Sequence, residues 1–227
     1  MQNLVKEKEI YFNENLIKKI KDSSSALVVW HVKPDFNCLG AMLGICEILE
    51  ILGENVSLVI KEGAKRYFRI PRVKRIASRV NPLDKKFKLY NIVIILDCKN
   101  IQQVSQNILD DTEGVTKISI NNYELNSDNS KEVVGEYNVN NSSFSSISEI
   151  ICNLSKALNV NLNVLSPEDL YALYEGIMST TSNLTANFSN DTKVLSSFFW
   201  KFNWKKKACC IWKRLFKSSK LKRASCS

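Results

Sequence analysis

Histidine occurs once in these 227 residues, at position 31. A centre built on several imidazoles is therefore excluded, and a metal site would have to draw mainly on carboxylates. No Cys-x-x-Cys pair occurs among the cysteines at 38, 46, 98, 152, 209, 210 and 226, so neither a zinc ribbon nor a dithiol redox motif is present. Their number is odd and four stand in apolar or strand-like contexts, which predicts reduced core thiols and a reducing, cytoplasmic setting. The opening stretch MQNLVKEKEIYFNENL has no apolar signal-peptide core, and no run approaches a membrane span. The Asn-x-Ser/Thr matches at Asn55, Asn141, Asn153, Asn183 and Asn187 carry no weight without such a signal. Internal repeats are absent. Acidic residues are missing from residues 201–227, which hold ten Lys and Arg. The preceding 200 residues hold 22 basic and 23 acidic side chains, so the net charge of +9 belongs to the tail.

Apolar periodicity supplies the fold. ALVVW (26–30), NVSLVI (55–60), YNIVIILDC (90–98) and VTKISI (115–120) read as strands, the third as a continuous apolar strand of the buried parallel type. LGAMLGICEILEILG (39–53) has helical spacing and a glycine stop; SSISEIICNLSKAL (145–158) and SPEDLYALYEGIMST (166–180) are also helices, the last with Ser166 as N-cap before Pro167. A further helix is expected near 72–79. Alternation of strands and helices predicts an α/β fold, a mainly parallel β-sheet with helices on both faces, over residues 1–200. Residues 201–227 are expected to form a helical, basic C-terminal tail.

In such sheets ligands bind beyond the carboxyl ends of the strands. His31, Asp35, Asp97 and Asn121 each follow a strand end, so polar residues from three strands are expected to converge on one crevice. A histidine with two acids at strand ends favours a site over unrelated core or surface roles.

Four stretches, in order, carry a family resemblance. HVKPDFNCLGAMLG resembles the first motif of the DHH phosphoesterases, His-x-x-Pro-Asp-x-Asp-x-x-Gly. IILDC resembles their second motif, a hydrophobic strand ending in a bridging Asp. ISINNYELN falls where the family has Ile-Asp-His-His-x-x-Asn and matches at Ile120 and Asn126. GIMSTTSNL resembles the fourth motif, Gly-Ile-x-x-Asp-Thr-x-x-Phe, keeping Gly176, Ile177 and Thr181. SSFSSISEII is similar to the Ser-rich helix start between the third and fourth motifs. The resemblance covers residues 26 to about 200 and is strongest to the nanoRNase and pAp phosphatase branch.

The resemblance implies a manganese-dependent, two-metal phosphoesterase acting on short oligoribonucleotides or nucleoside bisphosphates. Its first metal would take His31, Asp35 and Asp97, all present. Its second would take the positions of Asn37, Asp97, Asn122 and Thr180, where three of four ligands are replaced. Neutral Asn and Thr oxygens are poor substitutes for charge around a hard divalent cation. Asn121, Asn122 and Tyr123 stand for the Asp-His-His triplet; Asn121 lacks the charge that would orient an imidazole, and Tyr123 supplies no cationic contact to phosphate. The expectation is one bound ion at most, manganese before magnesium, and weak or no hydrolysis. The stretch WKFNWKKKACCIWKRLFKSSKLKR resembles the family's interdomain linker, and the substrate-binding DHHA1 domain expected after it is lacking.

Other features carry two readings each. Eleven Lys and Arg in residues 61–88, with Tyr67 and Phe68 as stacking platforms, could form a nucleic-acid track; a solvated Lys-rich helix face is the favoured alternative. Cys209–Cys210 beside Trp204 and Trp212 could mark acylation or membrane contact, against a linker helix without its partner, which is favoured. The tail could bind anionic partners non-specifically. Ser142–Ser148 could hold phosphate at a helix N-terminus, or simply cap that helix. Three functional classes follow: a weak metal-dependent phosphoesterase, a non-catalytic nucleic-acid or protein-binding module (a pseudoenzyme), and the truncated product of a decaying gene. Oligomeric state and substrate are not legible.

Overall fold

A computed structural model describes residues 12–30, 35–59, 67, 69–77, 87–98, 104, 106–123, 135–186 and 188–201. His31, Phe68, Asn126, most of the basic 61–88 segment and the tail from 202 onward, with Cys209 and Cys210, lie outside the described residues.

Five parallel strands form one sheet: β1 (Ser25–Trp30), β2 (Asn55–Val59), β3 (Ile92–Leu96), β4 (Thr116–Asn121) and β5 (Tyr137–Asn140), in the order β2-β1-β3-β4-β5. The helices are α1 (Glu14–Lys21), α2 (Phe36–Ile51), α3 (Pro71–Ala77), α4 (Gln106–Asp111), α5 (Ile147–Ala157), α6 (Pro167–Thr180) and α7 (Asn190–Lys201). Strand residues alternate between two cores. Ala26, Val28, Trp30, Ile92, Ile94, Leu96, Ile118 and Ile120 face the larger one, with residues of α2, α3, α5 and α6; Leu27, Val29, Val93 and Ile95 face the smaller one, with Phe87 and Ile108 of α4. Both faces of the sheet are thus covered, which is why its strands read as unbroken apolar runs.

α2 is apolar on all sides because it lies between the sheet and other helices; twelve of its sixteen residues are buried. It runs close against α6, and the approach depends on glycine. A Cβ at Gly40 would collide with the carbonyl oxygen of Ala172, and one at Gly44 with the Leu173 side chain. The expected stop is present: Gly53 takes φ +91°, which ends the helix and turns the chain into β2. Ser166 Oγ accepts from the Asp169 amide at 3.3 Å, so α6 has the predicted cap. Cys38, Cys46, Cys98 and Cys152 are buried, as expected of core thiols. No described helix is long and apolar enough to cross a membrane.

Candidate functional site

The strand order reverses direction between β1 and β3. Following β1, the chain goes to β2 on one side; following β3, it goes to β4 on the other. The sheet's switch point therefore lies between β1 and β3, and doubly wound sheets bind ligands beyond the carboxyl strand ends at such a point. Register keeps the strand ends level: Trp30 pairs with Leu96, Leu96 with Ile120, and Ile120 with Val139. Asp97 and Asn121 follow these ends on adjacent strands, at about the 4.8 Å interstrand spacing, and Asn122 and Tyr123 come next along the chain. Asp35 opens α2, just beyond the loop that leaves β1.

Asp97 is half-buried and adopts φ +56°, a left-handed conformation uncommon for a residue with a Cβ. Its own amide donates to Ile120 O at 3.1 Å. The next amide, of Cys98, donates to Asn121 Oδ1 at 2.9 Å. Asn121 is 3% exposed, and its Nδ2 donates to Ser119 Oγ at 2.7 Å. The position read as a lost acid is therefore occupied by an amide bonded at both ends. Burial, then the neighbouring Cys98 and Asp97, pushes the Tyr123 phenol above its ordinary pKa. The Tyr123 amide donates to Asn140 Oδ1 at 3.0 Å.

Asp35 is exposed and caps α2, its Oδ1 accepting from the Cys38 amide at 2.8 Å. Asn37 is buried, and its Oδ1 accepts from the Ser148 amide at 3.1 Å, while its carbonyl accepts from Ser148 Oγ at 3.0 Å. A Cβ on Gly176 would strike Ser148 and approach the Asn37 Cα to 3.3 Å. Thr180 lies one turn beyond Gly176 on the same face of α6. Its Oγ1 donates back into the helix, to Ile177 O at 3.0 Å and Gly176 O at 3.2 Å. Thr181 latches the chain beyond: its Oγ1 donates to Ile177 O at 2.8 Å and accepts from the Leu184 amide at 3.2 Å. That latch spans Ser182, Asn183 and Leu184, three successive left-handed residues. Asn122 is half-buried.

Two alternative readings change. The α5 amino terminus is consumed by capping: Ser146 Oγ accepts from the Glu149 amide, Asn37 takes the Ser148 amide, and Glu149 Oε2 takes both the amide and hydroxyl of Ser145. A carboxylate seated there opposes a phosphate, so the stretch caps its helix. Tyr67 is no stacking platform. It is 3% exposed, its ring 5.5 Å from that of Trp30. Arg72 of the same basic segment is an internal ion-pair partner, with Nε 2.6 Å from Asp169 and Nη2 2.7 Å from Glu50. Lys74 and Arg75 face solvent, as a solvated helix face requires.

No group of three or more His, Cys, Asp or Glu side chains able to hold a metal occurs among the described residues, of which His31 is not one. In donor type, Asp35 and Asp97 fit a hard divalent ion. A carboxylate has about four acceptor positions, so the Asp35 cap leaves room for a cation. Asn37 and Thr180 do not fit: both are neutral and both are bonded to backbone.

No family model matches the chain, and no curated protein matches it in sequence. In structure it is similar to an exopolyphosphatase-related protein from Bacteroides fragilis, with a TM-score of 0.71 and 17% sequence identity. The match covers 93% of this chain and 61% of that protein, so the chain spans less than two thirds of its length. The likeness shows that this chain has that protein's α/β fold.

Proposed function

We propose that the chain is a DHH-type phosphoesterase-fold protein that holds one divalent ion, manganese before magnesium, on His31, Asp35 and Asp97. Hydrolysis of short oligoribonucleotides or nucleoside bisphosphates is weak or absent. The reading is supported by Asp97, a carboxylate in left-handed backbone after β3 beside the β1/β3 switch point, and by Asp35, the cap of the helix that follows β1. When bound, the ion supplies the charge that acidifies water and polarises a phosphoryl oxygen. The chain's own part is to hold two carboxylates at the crevice and to orient a substrate phosphate between them and the β4 end. Asn37 and Thr180 leave neutral oxygens where a second cation needs negative charge. A non-catalytic binding module is the second reading, favoured by the bonding of Asn37 and Asn121 into the scaffold.

Manganese titration followed by electron paramagnetic resonance, with a phosphodiesterase assay on a short oligoribonucleotide, tests both. The expected result is one ion per chain, lost in Asp97→Asn. Binding without turnover selects the module. Two ions per chain, or binding indifferent to Asp97→Asn, would overturn the assignment.

A further inference from the structure

We infer that Asn121 is a positioning residue for Asp97: its buried side chain holds the Asp97–Cys98 peptide and so sets the direction of the carboxylate. The inference rests on the reading of Asp97 as an ion ligand. Left-handed backbone at a residue with a Cβ persists only where neighbours over-determine it. Around Asp97 they do. The Asp97 amide is taken by Ile120 O, the Cys98 amide by Asn121 Oδ1, and the Cys98 thiol turns back to Leu96 O at 3.3 Å. Two of these three bonds come from consecutive residues of β4. The reversal after β3 is therefore built by the strand beside it.

Asn121 suits this task. Its Oδ1 has to accept, because the Cys98 amide only donates. Its Nδ2 donates to Ser119 Oγ, a partner two residues back on the same strand. That second bond fixes the amide orientation, so the acceptor cannot rotate away from Cys98. Removing the side chain would leave the Cys98 amide, in a residue 1% exposed, without its acceptor. The 97–98 peptide would then rotate towards ordinary backbone, and the carboxylate with it. An aspartate keeps the acceptor, with the Ser119 hydroxyl turning to donate, so it is the conservative variant.

The test measures wild type, Asn121→Ala and Asn121→Asp as full-length protein. Two readouts are used: hydrogen exchange at the Cys98 amide without metal, and manganese affinity by electron paramagnetic resonance. Asn121→Ala is expected to speed Cys98 exchange at least tenfold and weaken manganese binding at least tenfold, and Asn121→Asp to restore both to within about threefold. Equal loss in both variants assigns Asn121 a merely structural role and overturns the inference. So does unchanged Cys98 exchange in Asn121→Ala. If that variant does not fold, the wild-type spectrum decides: a through-hydrogen-bond coupling from the Cys98 amide to the Asn121 side-chain carbonyl carbon is expected, and its absence overturns the clamp. A wild type that binds no manganese while Cys98 responds as described rejects the ion reading and the Asp97 ligand role. Exchange then still reports the clamp separately.

Discussion

At Glu54 a carboxyl group is enclosed with no well-formed hydrogen bond to either oxygen among the described residues, in a residue 5% exposed. The Ser23 hydroxyl is near enough to ease the charge, yet it forms no well-aligned bond. Burial pushes the carboxyl up from 4.5 to about 7. The folded chain therefore holds this proton more tightly than the unfolded one. The resulting stability is fully present below about pH 4.5 and is lost as pH rises through about 7. Its full size is up to roughly 3 kcal/mol. Glu54→Gln, which cannot ionise, should exceed wild type in stability by an amount approaching that at pH 8 and match it near pH 4. Urea unfolding at the two values checks this, and equal differences at both would refute it. Nothing in LGENV marks Glu54 as buried: a Glu after a glycine stop reads as solvent-exposed. The same limit applies at the candidate site. Asp35, Asn37, Asp97, Asn121 and Thr180 were legible as residues at strand and helix ends. The bond from Ser148 to Asn37 crosses 111 positions, and no local pattern reveals it.

Elements were legible where burial makes them monotonous. β1 and β3 lie between two cores and are apolar almost throughout, so they are legible in the sequence as buried strands. β5 escaped notice because it has four residues, Tyr-Asn-Val-Asn, with only Val139 buried. α4 is too short for a period to emerge. α1 does carry a local signal, an Asn13 cap before Leu16 and Ile20 at helical spacing. What spacing does not show is how closely helices approach. Ser148 Oγ sits in the junction of α2, α5 and α6, in space left by Gly40 and Gly176. Gly176→Ala should destabilise the fold by about 1–3 kcal/mol through overpacking. Adding Ser148→Ala removes the obstructing oxygen, so the pair should be less destabilising than the two single costs combined, by at least about 1 kcal/mol. Strict additivity in urea unfolding would show that the helices yield instead. At the end of α6, Thr181→Val should cost about 1–2 kcal/mol, because the buried hydroxyl both donates and accepts across the left-handed run. A change near zero would mean that the turn needs no latch.

On the scale of the whole molecule, the candidate crevice is assembled from the ends of elements far apart in sequence. Asp97 hangs on β3 and β4, Asp35 on the first turn of α2, and Asn37 ties that turn to α5. The unfolded chain brings none of these together, so an ion held across the crevice stabilises the folded state alone. The gain follows from mass action, about 2.7 kcal/mol at one hundred times Kd. For a chain of this length that corresponds to a rise in Tm of roughly 5–10 °C. Manganese is expected to raise Tm by that order, with EDTA reversing it. Asp97→Asn should abolish the response, because it removes the carboxylate while the backbone bonds of Asp97 and Cys98 can remain. Thermal scans over a manganese series separate the cases. A rise that survives Asp97→Asn would place the ion elsewhere, while no rise at millimolar manganese in wild type would mean that the two carboxylates line the crevice without holding an ion.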